Sequence, residues 1–361
     1  MPHRFALIAV VVVWTQGCSA PDSDSASAVT DLTDPTWVPQ YQDSTLHFVG
    51  MSIVSEDVVW VSGEPDVVVR TADGGRNWTT HKVAGNDSLF FRDIHAFSAE
   101  EAIAASLGPG SLARLYRTVD SGETWHEVHR ARSEGRWFDC MSFWDHRGFL
   151  AVTAEDGMAV LQTGDSGRSW EEISLAPDSI KIAGELVVAA SGTCALAGED
   201  GRGWIATRLP GRGSRVLYTT DYGASWAAAL TPVPSGRLGE GLSSVAFFDT
   251  EHGIAIGRVD EADVSNVAVT RDGGMTWSSG ARTAGGVAFG SSVVPGASVP
   301  TVVTVSRDFG SQYSVDHGQS WIDLGEERFW TVSFLSATVG WAAGTGRISK
   351  ILNATPENSD R

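Results

Sequence analysis

The sequence is short of the groups that carry most enzyme chemistry. Its 361 residues include three cysteines, and no two of them stand in C-x-x-C or C-x-x-C-H. That excludes a redox dithiol and covalent haem attachment of the usual spacing. Nine histidines form neither H-x-H nor H-E-x-x-H, so no metal site is visible and no cofactor is expected. There is no G-x-G-x-x-G between a strand and a helix. No segment has the long helical period that would supply the helix N-terminus of a dinucleotide site. Positive charge is scarce: 26 Lys and Arg stand against 44 Asp and Glu, for a net charge of −18. Phosphate backbones must be met by positive charge, so a nucleic-acid partner is excluded. Electrostatic adhesion to anionic lipid is disfavoured, and solubility is the plain reading of the acidic balance.

What the chain has in abundance is repetition. Six segments follow the pattern Ser/Thr-x-Asp-x-Gly-x-(Thr/Ser/Asn)-Trp: Thr71–Trp78, Thr118–Trp125, Thr163–Trp170, Thr219–Trp226, Thr270–Trp277 and Ser314–Trp321. Their aspartates are Asp73, Asp120, Asp165, Asp221, Asp272 and Asp316, at intervals of 47, 45, 56, 51 and 44 residues. That is the period of a propeller blade, a four-stranded unit that must stack on copies of itself to bury its faces. The motif resembles the Asp box, or bacterial neuraminidase repeat. Its Asp can accept backbone N–H bonds within its own turn, its Gly tolerates positive φ, and its Trp packs beneath the turn. The six aspartates are expected on different blades, as turn staples and not as metal ligands.

The rest of each repeat reads as strands. Phe48–Val54 and Val58–Gly63, or Val245–Phe248 and Gly253–Gly257, are short apolar runs joined by polar turns. After the sixth motif, Phe329–Leu335, Gly340–Gly344 and Arg347–Leu352 supply three strands and no seventh motif follows. The segment around Trp37 resembles the missing fourth strand. The expectation is an all-β, seven-bladed propeller over residues 35–353, its last blade closed by that N-terminal strand, which leaves no exposed sheet edge.

The ends carry a different message. A short basic start and the apolar run Phe5–Trp14 have signal-peptide length, too short to span a bilayer comfortably. Thr15-Gln-Gly17-Cys18-Ser19 resembles a bacterial lipobox, with Thr15 departing from the usual Leu. The expectation is a signal peptide over 1–17, lipidation of Cys18, a flexible tether over 18–34 and a disordered tail over 354–361. The protein would be an exported, membrane-anchored lipoprotein of a bacterial cell envelope, touching the membrane only through its anchor. Export permits a disulfide. Cys140 and Cys194 read as residues of adjacent innermost strands, and a disulfide and a pair of buried thiols both stand open.

Longer stretches carry a family resemblance. Phe91–Phe97, Trp137–Asp145, Ala190-Ser191-Gly192-Thr193 and Gly340–Gly344 resemble a bacterial group of Asp-box propellers similar to the photosystem II stability/assembly factors, whose members often bear the label oxidoreductase. The resemblance spans nearly the whole mature chain. It implies a seven-bladed propeller and, for the photosynthetic relatives, a chaperone-like role on membrane-protein subunits. The basic surface that such a role would need is not evident from the net charge.

Chemistry finds little support. A sialidase needs an arginine triad and a Tyr nucleophile paired with a carboxylate; the Arg-Ile-Pro signature is missing, and the five tyrosines are poorly placed. One constellation remains. First strands line a propeller axis, and those of the second and third repeats bring Arg92, Asp93, His95, Asp139 and Cys140, while Arg328 and Trp330 come from the last. Two readings are open: a salt-bridged plug in which Arg92 pairs with Asp93 or Asp139, or a pocket for a small ligand or peptide end. Arg92, Asp93, His95 and Asp139 are expected to converge near one mouth. The functional expectation is a monomeric, non-catalytic binding or assembly scaffold that holds a protein or small ligand at a propeller face. The alternative is a hydrolase or lyase acting on a glycan at the axis, by acid–base work of two carboxylates.

Overall fold

The computed structural model describes residues 31–353, apart from 87, 176–179, 189 and 238. The signal segment, Cys18, most of the tether and the tail therefore lie outside the described residues. The end of the expected tether that is described is held in place: Asp31 accepts bonds from the Ser298 amide at 2.8 Å and from the Ser298 hydroxyl.

Short β-branched and aromatic runs such as Val59–Glu64, Val67–Thr71 and Val302–Ser306 form antiparallel strands. Among the described residues the helical elements are three short 3-10 turns. The strands build a propeller of six sheets around an axis. The first sheet holds Thr331–Ser336, Val339–Leu352, Thr36–Ile53, Val59–Glu64, Val67–Thr71 and Thr79–Lys82, in that order. The innermost strands of the second, third, fifth and sixth sheets are Phe90–Ala96, Trp137–Phe143, Gly241–Phe247 and Gly290–Val293. In the fourth sheet the inner position is split between Leu186–Val187 and Ala195–Ala197, both paired to Gly203–Leu209.

This corrects the expectation of seven blades. Repeat counting assumed that a new sheet begins wherever a new strand pair begins. Two long strands, Thr36–Ile53 and Val339–Leu352, instead run on without a break and carry the first and last repeats in one six-stranded sheet. The segment around Trp37 pairs with the end of Val339–Leu352, Trp37 opposite Ile351. It does so inside that common sheet and does not complete a separate last blade. The sheet folds over itself, so that Phe48, Val59 and Val69 share a buried cluster with Trp341, Ala343 and Ile348. Elsewhere the core lies between neighbouring sheets: Phe149 and Val160 of the third pack with Ile205 and Leu217 of the fourth.

Four inner strands carry a register shift at equivalent places, with Val49, Arg92, Asp139 and Ser243 as the extra residues. A bulge bends its strand and re-aims a side chain, which is how charged residues come to sit on strands that are otherwise apolar.

Each of the six aspartates lies on its own sheet, in the turn before the outermost strand. Asp73 shows the bonding: it accepts the Asn77 amide at 2.8 Å and the Thr71 hydroxyl at 3.0 Å, while the Gly75 amide donates to Thr71 Oγ1. The carboxylates of Asp120, Asp165, Asp221, Asp272 and Asp316 accept the corresponding amides of Thr124, Ser169, Ser225, Thr276 and Ser320. The Trp indoles of four turns donate to the Gly carbonyl of their own turn. Trp321 donates to Ala281, and Trp226 Nε1 makes no bond among the described residues. Asp165→Ala is expected to cost about 1 kcal/mol, because the turn amides it serves remain open to water. Thermal unfolding checks this; a wild-type melting temperature lowered by chelators would contradict the turn-staple reading.

Candidate functional site

The axis is closed by a segment of the fourth sheet. Between Val187 and Ala195 the chain leaves the sheet, and Ala190–Thr193 crosses the centre. Ser191 donates its hydroxyl to Phe289 O at 2.8 Å, and its carbonyl accepts the Thr331 hydroxyl at 2.9 Å. Thr193 bonds the Ser244 hydroxyl, and its carbonyl accepts the Val245 amide. Gly192 has φ +73°, and a Cβ there would lie 2.6 Å from Asp93 Oδ1. Only glycine meets both conditions, the left-handed backbone and the close approach. One segment thus touches sheets one, two, five and six. It is pinned at its base by a disulfide between Cys140 of the third sheet and Cys194, which settles the alternative left open by the sequence.

The plug divides the predicted constellation instead of gathering it. Asp93 is buried; its Oδ1 accepts the Ile94 amide and its Oδ2 the Met141 amide of the next sheet, at 2.7 Å. It staples two sheets. Burial pushes its carboxyl up to about 8, against those two bonds. Asp139 is also buried and accepts the Thr153 amide at 2.7 Å; burial raises it to about 7, opposed by that bond and by Arg208 and Arg92. His95 stacks on Phe143 at 4.5 Å with Phe97 at its edge, and burial lowers it to about 4. It therefore stands as a neutral imidazole. Asp93 and His95 line an axial cavity of about 280 Å³ on the side of the Asp-bearing turns. Arg92, Arg328 and Trp330 belong to the opposite mouth, so the four residues expected at one mouth are not brought together there.

That opposite mouth is the more distinctive surface. Four rings form an arc from the second sheet across the first to the sixth. Phe90 lies 6.1 Å from His47, His47 lies 5.4 Å from Trp330, and Trp330 lies 4.8 Å from Phe289. A guanidinium caps each end: Arg92 sits 4.0 Å over Phe90, and Arg307 sits 4.7 Å over Trp330. Burial first, then Arg92 and Arg307, hold the His47 imidazole below its ordinary range. Its Nε2 is buried and makes no hydrogen bond among the described residues. Arg328 and Arg347 flank a cavity of about 570 Å³ beside Trp330, with Glu326 and Glu327 on its rim. Guanidinium and carboxylate groups are balanced there, Arg307, Arg328 and Arg347 against Asp308, Glu326 and Glu327, with Arg307 Nε 3.3 Å from Asp308; the mouth offers individual arginines and not a basic surface. Arg307, Phe289 and His47 were missed by sequence reasoning: Phe289 lies just before the strand Gly290–Val293, Arg307 just after Val302–Ser306, and His47 within the long strand Thr36–Ile53.

No family model matches the sequence, and no curated protein does. Solved structures match in fold. YCF48 bound to D1 peptide superposes with a TM-score of 0.60 at 16% identity, over 88% of this chain and 95% of that one. YCF48 from Cyanidioschyzon merolae gives 0.63 at 14% identity, over 87% and 98%. A streptogramin B lyase gives 0.63 at 10% identity, over 88% and 97%. The chain is a β-propeller that structurally resembles the YCF48, photosystem II assembly-factor-like proteins. At these identities the likeness is one of fold.

Proposed function

We propose that this propeller is a binding scaffold that holds a carboxylate-bearing terminal segment of a partner protein in its arginine-capped aromatic mouth. The observation that carries this is the arc Phe90–His47–Trp330–Phe289 with Arg92 and Arg307 at its ends. The half-buried rings offer stacking area on their open faces, and planar guanidinium groups suit a carboxylate. That a propeller of this fold binds a peptide in YCF48 supports the reading. A lyase shares the fold equally well, but the site does not favour the hydrolase or lyase alternative, since the buried carboxylates of Asp93 and Asp139 already accept backbone amides.

The finer parts of the proposal rest on sequence. The six turns are Asp boxes. The mature protein is a monomer anchored through a lipid on Cys18 to a bacterial envelope membrane, which sets its partner among envelope proteins.

The test is a titration of fluorescent peptides that end in a free carboxylate or in an amide. The free-carboxylate peptides are expected to bind more tightly, and Trp330→Ala or Arg307→Ala to weaken binding about tenfold or more while leaving thermal unfolding nearly unchanged. Equal binding of both peptide forms, or full binding by both variants, would contradict the proposal.

A further inference from the structure

The axial cavity on the other side of the plug is separate from this mouth and has its own chemistry. At about 280 Å³ it lies near the lower end of the roughly 300–1,000 Å³ typical of ligand sites. Its walls come from the inner strands all round the axis. Apolar side chains such as Met51, Met141 and Val332 alternate with hydroxyls and the His95 ring.

Several of these polar groups have unused bonding capacity. Ser52 Oγ accepts the Ala96 amide and Ser142 Oγ accepts the Ala197 amide, which leaves each O–H proton available to donate. Ser333 is half-buried on the cavity wall, and its hydroxyl makes no hydrogen bond among the described residues. His95 is held between Phe143 and Phe97, and neither of its ring nitrogens bonds to a protein atom among the described residues. A ring clamped by two aromatic neighbours has its hydrogen-bonding direction fixed in advance, which lowers the cost of binding.

Charge is missing from the lining. Among the described residues no Lys, Arg or Glu reaches the cavity, and the one carboxyl, Asp93, has both oxygens engaged and is covered by Gly192. An ionic ligand would be desolvated there with no counter-charge. We infer that the axial cavity is a second binding site, for a small neutral polyhydroxylated ligand the size of one sugar ring. His95, Ser333, Ser52 and Ser142 bond its hydroxyl groups, and the apolar strips pack against its C–H faces. The neutral state of His95 lets one ring nitrogen accept while the other donates.

The test uses D-glucose, D-galactose and myo-inositol as neutral probes, with acetate and methylammonium as charged ones, followed by ligand-observed NMR and calorimetry. At least one neutral probe is expected to bind saturably with a Kd of about 1 mM or tighter. His95→Phe and Ser333→Ala should each weaken that binding about tenfold. Ser333 has no side-chain bond to lose among the described residues, so its variant keeps the test open should His95→Phe fail to fold. Neither variant should alter peptide binding at the opposite mouth, which separates this site from that one. Absence of binding by all three neutral probes, tighter binding of a charged probe, or neutral-probe binding that persists in a folded Ser333→Ala protein would overturn the inference.

Discussion

Removing the Cys140–Cys194 disulfide, as the double variant Cys140→Ala with Cys194→Ala, is expected to lower stability by about 4 kcal/mol. The bond closes a loop with a sequence separation of 54 residues, and chain-entropy estimates for a loop of that length give this order of cost. The consequence is also local. Cys194 is the base of the segment whose Ser191 and Thr193 bond to the first, fifth and sixth sheets. Without the cross-link, the amides of 190–193 should exchange with solvent faster than those of the surrounding inner strands. Chemical denaturation of the oxidised protein and the variant checks the first expectation, and hydrogen exchange the second. A variant as stable as the parent would show that the hydrogen bonds of the plug alone set its position.

Stability should also fall as pH rises from about 6.5 to 9, by about 2 kcal/mol. The sign follows from Asp93 and Asp139, whose carboxyls stand at about 8 and about 7 in the folded protein against about 3.9 in an unfolded chain. The folded state holds protons that the unfolded state releases. The contribution is fully present below the unfolded value and is lost as pH rises through about 7 for Asp139 and about 8 for Asp93. The histidines held low by burial, His95 and His47 among them, act in the opposite sense. Their contribution is present above the unfolded histidine value near 6.5 and is lost below it, which is why the window begins there. Asp120, lowered to about 2 by the Thr124 hydroxyl and amide, loses its contribution only in acid, as pH falls from near 4 toward 2. Melting temperatures across pH 6.5–9 check the slope. Asp139→Asn keeps an acceptor for the Thr153 amide and should flatten the profile; an unchanged slope in that variant would assign the titration elsewhere.

The turns and strands were legible because their signals are local. Thr, Asp and Gly at fixed offsets describe a closed set of hydrogen bonds within eight residues, and the bonds of Asp73 or Asp316 need nothing from the rest of the chain. The number of sheets was not legible. Whether Thr36–Ile53 breaks near Gln42 or runs on depends on a partner strand some 300 residues away, and the repeat pattern is silent on it. The site was half legible. Arg92 and Asp139 were visible as charges on apolar strands, but that each is the extra residue of a bulge depends on cross-strand register. The plug left one trace, the longest interval of 56 residues between Asp165 and Asp221. The aromatic mouth was visible in part: Arg92, Arg328 and Trp330 stood out on first strands, but Arg307, Phe289 and His47 come from other repeats, and only the fold brings them together.

The central claim is that the aromatic mouth and not the turn-bearing face receives a partner peptide. The most direct measurement is the indole 15N–1H NMR spectrum, with Trp330 assigned by Trp330→Phe, during titration with a free-carboxylate peptide. The Trp330 signal is predicted to shift with saturable behaviour, while the indoles of Trp78, Trp125 and Trp170, whose N–H groups bond inside their turns, stay in place. Shifts confined to the turn indoles with Trp330 unmoved would contradict the claim.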